Sequence, residues 1–152
     1  MMFNIKKNSD TISGKVAYST EGQEIKVQPS INSDITFLIA YLQLGFDSEN
    51  MLSTQISGYL PCFNWEAACL AKPLAVKGRL LLCRSDIEPG DSVRIPNVEY
   101  WKIQYDNASG WLRYGNVTDL KGITYVEIFQ NELVGLNSDG HIEEIWLKPV
   151  WL

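Results

Sequence analysis

The sequence predicts an α+β fold, in which a mainly antiparallel, twisted β-sheet carries one principal α-helix packed on a face. Alternating apolar and polar residues, which are typical of half-buried strands, recur through most of the chain. One segment instead spaces its apolar residues as a helix does, and turn residues separate the strands. The length of 152 residues suits a single domain that covers residues 1–152.

The beginning of the chain predicts a β-hairpin. Its two strands, Lys15–Tyr18 and Glu24–Val27, alternate apolar and polar residues. Between them Gly22 can supply the positive φ that a tight turn needs. We therefore expect these two strands to pair with each other.

The next segment, Ser33–Leu44, predicts the principal helix. Ser33 or Asp34 can cap its first turn, and Gly45 stands where a helix would end. The apolar residues that fall on one helical face are Ile35, Leu38, Ile39 and Leu42. We expect this face to pack against the sheet.

The rest of the chain predicts strands and turns. Strands are expected at Met51–Leu60 and Val76–Cys83, and Pro61–Pro73 between them forms a short helix or an irregular crossing. Glu88–Asp91 predicts a type II turn, because proline and glycine occupy its two central positions. The remaining strands are expected at Glu99–Tyr105, Trp111–Tyr114, Ile123–Phe129, Glu132–Leu136 and His141–Leu147.

The charge balance indicates the kind of partner. Thirteen basic and eighteen acidic residues leave a formal charge of −5, whereas a nucleic-acid binder needs a basic surface. An acidic protein suits a basic protein partner, because opposite charges speed their encounter. No apolar stretch of a secretory signal follows Lys6 and Lys7, and the longest apolar run, Phe37–Leu42, is far shorter than the ~20 residues that cross a bilayer. We expect a cytoplasmic protein that binds neither nucleic acid nor membrane.

The titratable residues do not predict an enzyme. His141 is the only histidine, so a Ser–His–Asp or Cys–His arrangement would have to use it, and no nucleophile motif accompanies it. Asn137–Gly140 has the composition of a hairpin turn, so His141 begins the returning strand. Because adjacent strand residues point to opposite faces, Glu143 and Glu144 cannot act as a close pair. We expect no catalytic residue and no cofactor.

The cysteines predict neither a disulfide framework nor a metal site. Cys62, Cys69 and Cys83 are odd in number and lack close CxxC spacing. A single histidine adds too few ligands for zinc. We expect reduced, buried thiols and no bound metal.

The strongest candidate site is a surface for a protein partner. Acidic residues gather in the DIEPGD turn, and residues 116–152 hold six acidic residues against two lysines. Trp and Tyr are common anchors of protein interfaces, and the chain has five tryptophans and seven tyrosines. The residues that we assign to partner binding are Asp86, Glu88, Asp91, Trp111, Glu143 and Glu144.

Four stretches carry a resemblance to a known group of proteins. They are SINSDITFLIAYLQLGF, ISGYLPCFNW, IEPGDSVRI and YDNASGWLRYGN, the last followed by a closing hairpin. Together they resemble the small immunity proteins encoded beside bacterial contact-dependent-inhibition and Rhs-type toxins. The resemblance implies a cognate toxin domain, often a nuclease, that a non-catalytic partner binds in the cytosol. Two alternatives stay open, a β-rich domain that binds a small apolar or aromatic ligand and an enzyme in which His141 or a pair of carboxylates converges in a cleft.

Overall fold

The computed structural model describes residues 2–7, 11–116 and 122–152. These residues form fifteen strands and a single-turn 3₁₀-helix, η1, at Val98–Tyr100. The strands are β1 (Phe3–Lys7), β2 (Lys15–Ser19), β3 (Glu24–Gln28), β4 (Ile35–Ile39), β5 (Leu42–Asp47), β6 (Leu52–Tyr59), β7 (Glu66–Ala67), β8 (Val76–Leu82), β9 (Ser92–Arg94), β10 (Lys102–Tyr105), β11 (Leu112–Gly115), β12 (Thr124–Phe129), β13 (Glu132–Leu136), β14 (Ile142–Leu147) and β15 (Val150–Trp151). The described part of the chain contains no helix that could cross a membrane.

The predicted α+β class is wrong, because the described residues form a nearly all-β, curled mixed sheet without an α-helix. The expected principal helix, Ser33–Leu44, is replaced by the β4–β5 hairpin. Its buried residues follow the period of a strand and are Ile35, Phe37 and Ile39 on β4, then Leu42, Leu44 and Phe46 on β5. The turn residues Ala40 and Tyr41 lack the usual glycine or asparagine, although Ala40 has φ of 54°. Because this segment has no turn signal, the helical spacing of its apolar residues is a stronger pattern than the alternation of two strands.

One path of hydrogen-bonded strands runs through the described sheet. Its order is β15-β2-β3-β6-β8-β12-β13-β14-β11-β10-β7, and β1 pairs with β8 beside it. A branch leaves the path at β6, where β5, β4 and β9 follow one another. Most pairs are antiparallel, but β4–β9, β7–β10, β8–β12 and β2–β15 are parallel.

Several sequence-based predictions of single elements are confirmed. The first hairpin is β2–β3, and the last third contains the meander β12–β13–β14. The turn at Glu88–Asp91 is present, with the Asp91 amide 3.0 Å from the Glu88 carbonyl and Gly90 at φ of 93°. Pro61–Pro73 is mostly an irregular crossing that contains the short strand β7. The predicted strand Glu99–Tyr105 is shorter than expected, because Glu99 and Tyr100 belong to η1 and the strand β10 begins at Lys102.

An aromatic seam joins the two ends of the strand path. It consists of Tyr18 on β2, Trp65 before β7, Tyr105 on β10 and Trp151 on β15. The ring centroid of Tyr18 lies 5.0 Å from that of Trp65 and 4.8 Å from that of Trp151, and the Trp151 indole donates a 2.9 Å hydrogen bond to the Tyr105 hydroxyl. Trp65 also contacts the rings of Tyr105 and Trp151. The seam therefore holds the curled sheet together where backbone pairing ends.

A buried carboxyl on β13 bridges to β6. Glu132 is fully buried, and its Oε1 accepts a 2.8 Å hydrogen bond from the Ile56 amide. Its Oε2 has no hydrogen-bond partner among the described residues. Burial raises the pKa of Glu132 well above its ordinary value, against the smaller opposing effect of the Ile56 amide. The carboxyl is therefore best accommodated in its neutral form.

The seam predicts a stability loss for Trp151→Ala. Aromatic pairs contribute roughly 0.5–1.5 kcal/mol each, and Trp151 contacts three rings, so we expect a loss of about 2 kcal/mol in the free energy of unfolding. Urea denaturation measures this loss. The matched control is Tyr100→Ala, which removes a 70% exposed ring and should change stability little. Equal stability of the two variants would show that the seam does not hold the sheet.

The buried carboxyl predicts a pH dependence of stability. Because the folded pKa of Glu132 lies above its unfolded value, its contribution is fully present below the unfolded pKa of about 4.3 and is lost as pH rises through the folded pKa. The glutamine of Glu132→Gln cannot ionise. The free energy of unfolding of this variant should therefore increase relative to that of the wild type as pH rises. Urea titrations between about pH 5 and pH 9 measure the difference. An exposed control, Glu49→Gln, should parallel the wild type, and parallel behaviour of Glu132→Gln would refute the assignment.

Candidate partner-binding site

The fold gathers five carboxylates at one end of β4 and β5. This acidic face consists of Asp34, Asp47 and Glu49, which line one shallow cavity, and of Glu88 and Asp91 in the turn that docks beside them. The Gly90 amide donates a 2.6 Å hydrogen bond to the Asp34 carbonyl, which docks the turn at Glu88–Asp91 onto the start of β4. The Asp34 carboxylate in turn accepts a 2.8 Å bond from the Ser48 amide, in the loop between Asp47 and Glu49. Two loops distant in sequence thus meet around Asp34.

Asp34 in the acidic face keeps its negative charge. Hydrogen bonds from the Ser48 hydroxyl and amide lower the pKa of Asp34, so this carboxylate is ionised at neutral pH. Glu88 and Asp91 are exposed, and the Asp91 carboxylate also accepts a 2.9 Å bond from the Glu88 amide. Within the described residues, no carboxylate of the acidic face forms a salt bridge. Arg79 is the neighbouring cation, close enough to Asp47 for electrostatic interaction.

Asp86 is exposed at the start of the DIEPGD turn, but its charge is compensated. The Arg84 guanidinium donates a 2.8 Å hydrogen bond from Nε and a second, shorter one from Nη2 to its two carboxylate oxygens. This pairing lowers the pKa of Asp86. Of the three predicted residues in this turn, Glu88 and Asp91 are therefore the ones with free negative charge.

Glu143 lies on β14, near the turn of the β13–β14 hairpin. Its half-buried carboxylate accepts a 2.7 Å hydrogen bond from the Asn137 amide group, and His141 is exposed at the tip of the same hairpin. Glu143, Asn137 and His141 border a cavity of about 440 Å³ whose opposite side is the segment Ile95–Trp101. The predicted hairpin turn at Asn137–Gly140 is confirmed, with β13 and β14 on its two sides.

Glu144 is part of the interior. Only 2% of this residue is exposed, and its Oε2 accepts bonds of 2.6 and 3.2 Å from the Nη2 and Nε atoms of Arg113. Its Oε1 accepts a 2.8 Å bond from the Trp146 indole and a short one from the Tyr125 hydroxyl. Burial, together with the Glu144 carboxylate, raises the pKa of Tyr125. Glu144 therefore ties three strands together and has no surface left to offer a partner.

Trp111 is also buried, with 7% of its surface exposed. Its ring packs against that of Trp146 at a centroid distance of 6.4 Å. The Lys72 ammonium lies 5.6 Å from the Trp111 ring centroid and covers it further. The structure thus places the predicted aromatic anchor in a small core of its own.

An exposed aromatic residue, Tyr41, lies instead at a groove at the other end of β4 and β9. This β9 groove has a volume of about 840 Å³, and its lining includes Tyr41, Arg94, Val98, Trp101, Ile103 and Tyr114. Tyr41 is 69% exposed, and Trp101 packs on Tyr114 at a centroid distance of 5.3 Å. Arg94 has no ion-pair partner among the described residues. The lining also contains Glu99 and the Lys102–Glu66 pair, so the groove combines aromatic rings with side chains of both charges.

Sequence reasoning missed the residues of this groove for identifiable reasons. Tyr41 falls inside the segment predicted as a helix, where it would lie on the polar face. Had the segment been treated as two strands, the break in alternation at Ala40 and Tyr41 would have marked an exposed turn. Trp101 directly follows η1. The predicted strand Glu99–Tyr105 did not include this helical turn, so it gave no indication that Trp101 lines a groove.

The thiols are free, but the expectation that they are buried is wrong for two of them. Cys69 and Cys83 are exposed, and Cys62 is half-buried. Within the described part of the chain, no three His, Cys, Asp or Glu side chains come together in a way that could hold a metal ion.

The buried ion pair predicts a large effect for Arg113→Met. Removing the guanidinium leaves the Glu144 carboxylate buried without a countercharge, and such losses cost roughly 3–5 kcal/mol. Chemical denaturation should therefore show a loss of about 3 kcal/mol in the free energy of unfolding. The control is Lys102→Met, whose 3.6 Å pair with Glu66 is about half exposed and should contribute less than ~1 kcal/mol. Similar losses for both variants would contradict a structural role of Glu144.

No protein-family model matches this chain, and no curated protein matches it. We therefore infer its function from the residues and their geometry.

Proposed function

We propose that this protein is an immunity protein, which binds and neutralises a cognate bacterial toxin domain in the cytoplasm without catalysing a reaction. The observation that carries the proposal is the acidic face, where Asp34, Asp47, Glu49, Glu88 and Asp91 come together without a salt bridge among the described residues. The partner that fits this face is a basic toxin, such as a nuclease domain.

Occlusion is the proposed mechanism. A nuclease holds the phosphates of its substrate with lysine and arginine, so a preformed group of carboxylates can occupy the same cleft. The hydrogen bonds of Asp34 and Asp91 to backbone amides fix their loops before binding, which lowers the entropy lost on association. The formal charge of −5 adds long-range attraction and speeds the encounter.

A second candidate function rests on the β9 groove. Trp101, Tyr41 and Tyr114 line a space of about 840 Å³, which is large enough for a small apolar or aromatic ligand. This reading places the binding site at the groove and gives no role to the acidic face. Variants of the acidic face therefore separate the two functions.

The proposal predicts protection from a toxin. Coexpression with the toxin domain encoded by the neighbouring gene should restore growth of a bacterial host, and the purified pair should form a stable one-to-one complex in light scattering. Continued growth arrest despite soluble expression of both proteins would reject the immunity function.

The acidic face predicts the effect of charge reversal. Glu88→Lys combined with Asp91→Lys should weaken the complex at least about tenfold and reduce the salt dependence of its dissociation constant, because attraction becomes repulsion. Isothermal titration at two salt concentrations measures both. The matched control is Glu21→Lys, an exposed glutamate in the β2–β3 turn, which should leave affinity unchanged. Unchanged affinity and salt dependence in the double variant would exclude this face as the contact surface.

A further inference from the structure

The outer edge of β9 is open. Among the described residues β9 pairs only with β4, and Ser92 and Arg94 are exposed. β4 in turn pairs with β5, so β9 ends this branch of the sheet. Unpaired backbone groups at such an edge can bond to an added strand.

The register identifies the backbone groups that face outward. Thr36 donates a 3.0 Å hydrogen bond to the Asp91 carbonyl, and Ile95 donates a 2.8 Å bond to the Leu38 carbonyl. In a parallel ladder alternate residues direct their backbone groups to the same neighbour. The residues directed at β4 are therefore 91, 93 and 95, and the N–H and C=O groups of Ser92 and Arg94 point away from the sheet.

The two ends of this edge differ in chemistry. Asp91 and Glu88 of the acidic face precede β9, whereas the β9 groove, with Arg94 and Trp101 in its lining, follows it. An extended chain rises ~3.3 Å per residue, so a segment of about five residues reaches from one end to the other. Pro89 and Pro96 bracket the edge, and proline cannot donate a backbone hydrogen bond. The two prolines therefore limit a strand added at this edge to a short segment.

We propose that the toxin partner binds by adding a short extended segment to β9, with basic side chains at the Glu88–Asp91 end and an apolar side chain in the β9 groove. This inference rests on the proposed function and adds the mode of binding. The main chain of the segment bonds to Ser92 and Arg94, which supplies affinity. The acidic end and the aromatic rings of the β9 groove select the sequence and direction of the segment.

Amide hydrogen exchange tests the inference on the free chain and on its complex with the toxin domain of the coexpression assay. In the free chain the Ser92 and Arg94 amides should exchange rapidly, while the Val93 amide, directed at β4, is protected. In the complex the exchange of Ser92 and Arg94 should slow at least tenfold, and Val93 serves as the internal control.

Each other outcome overturns the inference in a distinguishable way. A complex that leaves Ser92 and Arg94 exchanging rapidly excludes strand addition but keeps the proposed function. Absence of any complex rejects both. A free chain that is dimeric in light scattering, with Ser92 and Arg94 already protected, would assign this edge to a second copy of the chain.

A pair of variants at one position provides an independent check. Ser92→Pro removes the outward amide without removing a bond to β4, and proline is tolerated at such edge positions. The complex should weaken about fivefold to tenfold, as expected for one lost hydrogen bond. Ser92→Ala keeps the amide and should bind like the wild type. Equal affinity of the two folded variants would exclude a backbone contact at Ser92, and hydrogen exchange on the wild type decides the question if Ser92→Pro does not fold.

Discussion

The aromatic seam is the contact on which the curvature of the sheet depends. Short strands such as β7 and β15 offer few backbone hydrogen bonds, so pairing alone cannot hold the ends of the strand path near each other. Four rings from four separate parts of the chain supply the missing attraction, and the bond between Trp151 and Tyr105 fixes their arrangement. The branch of β5, β4 and β9 leaves this curled path at β6, and the acidic face and the β9 groove lie at its two ends.

Polar groups inside the sheet have a different role from those on its surface. Glu144 is surrounded by the donors of Arg113, Tyr125 and Trp146, so its charge is fully compensated. Glu132 has one donor, and burial raises the pKa of its carboxyl. Asp34 and Asp91 of the acidic face, in contrast, accept bonds from backbone amides and a hydroxyl, which orient them without a salt bridge. Counting acidic residues along the sequence does not separate buried carboxylates from surface ones, so it identified only part of the acidic face.

The sequence predicted much of the β-structure and little of the surface that the strands build. The hairpin β2–β3, the meander β12–β13–β14 and the turn at Glu88–Asp91 depend on local alternation and turn residues, so they could be predicted. The segment around Ala40 could not, because its turn lacks glycine and asparagine and its apolar spacing also fits a helix. Asp34 and Asp47 joined Glu88 only through pairing between distant strands, which a single sequence does not reveal. Glu144 looked exposed because its partner Arg113 lies on another strand.

The seam also has a consequence for how the chain acquires its structure. The ribosome adds Tyr18 to the chain long before Trp151. The two rings must nevertheless come into contact for the curled sheet to form. Contacts between such distant residues make folding slow, since a long loop has to be closed before any energy is gained. The nascent chain therefore cannot complete its fold during synthesis until residue 151 has left the exit tunnel.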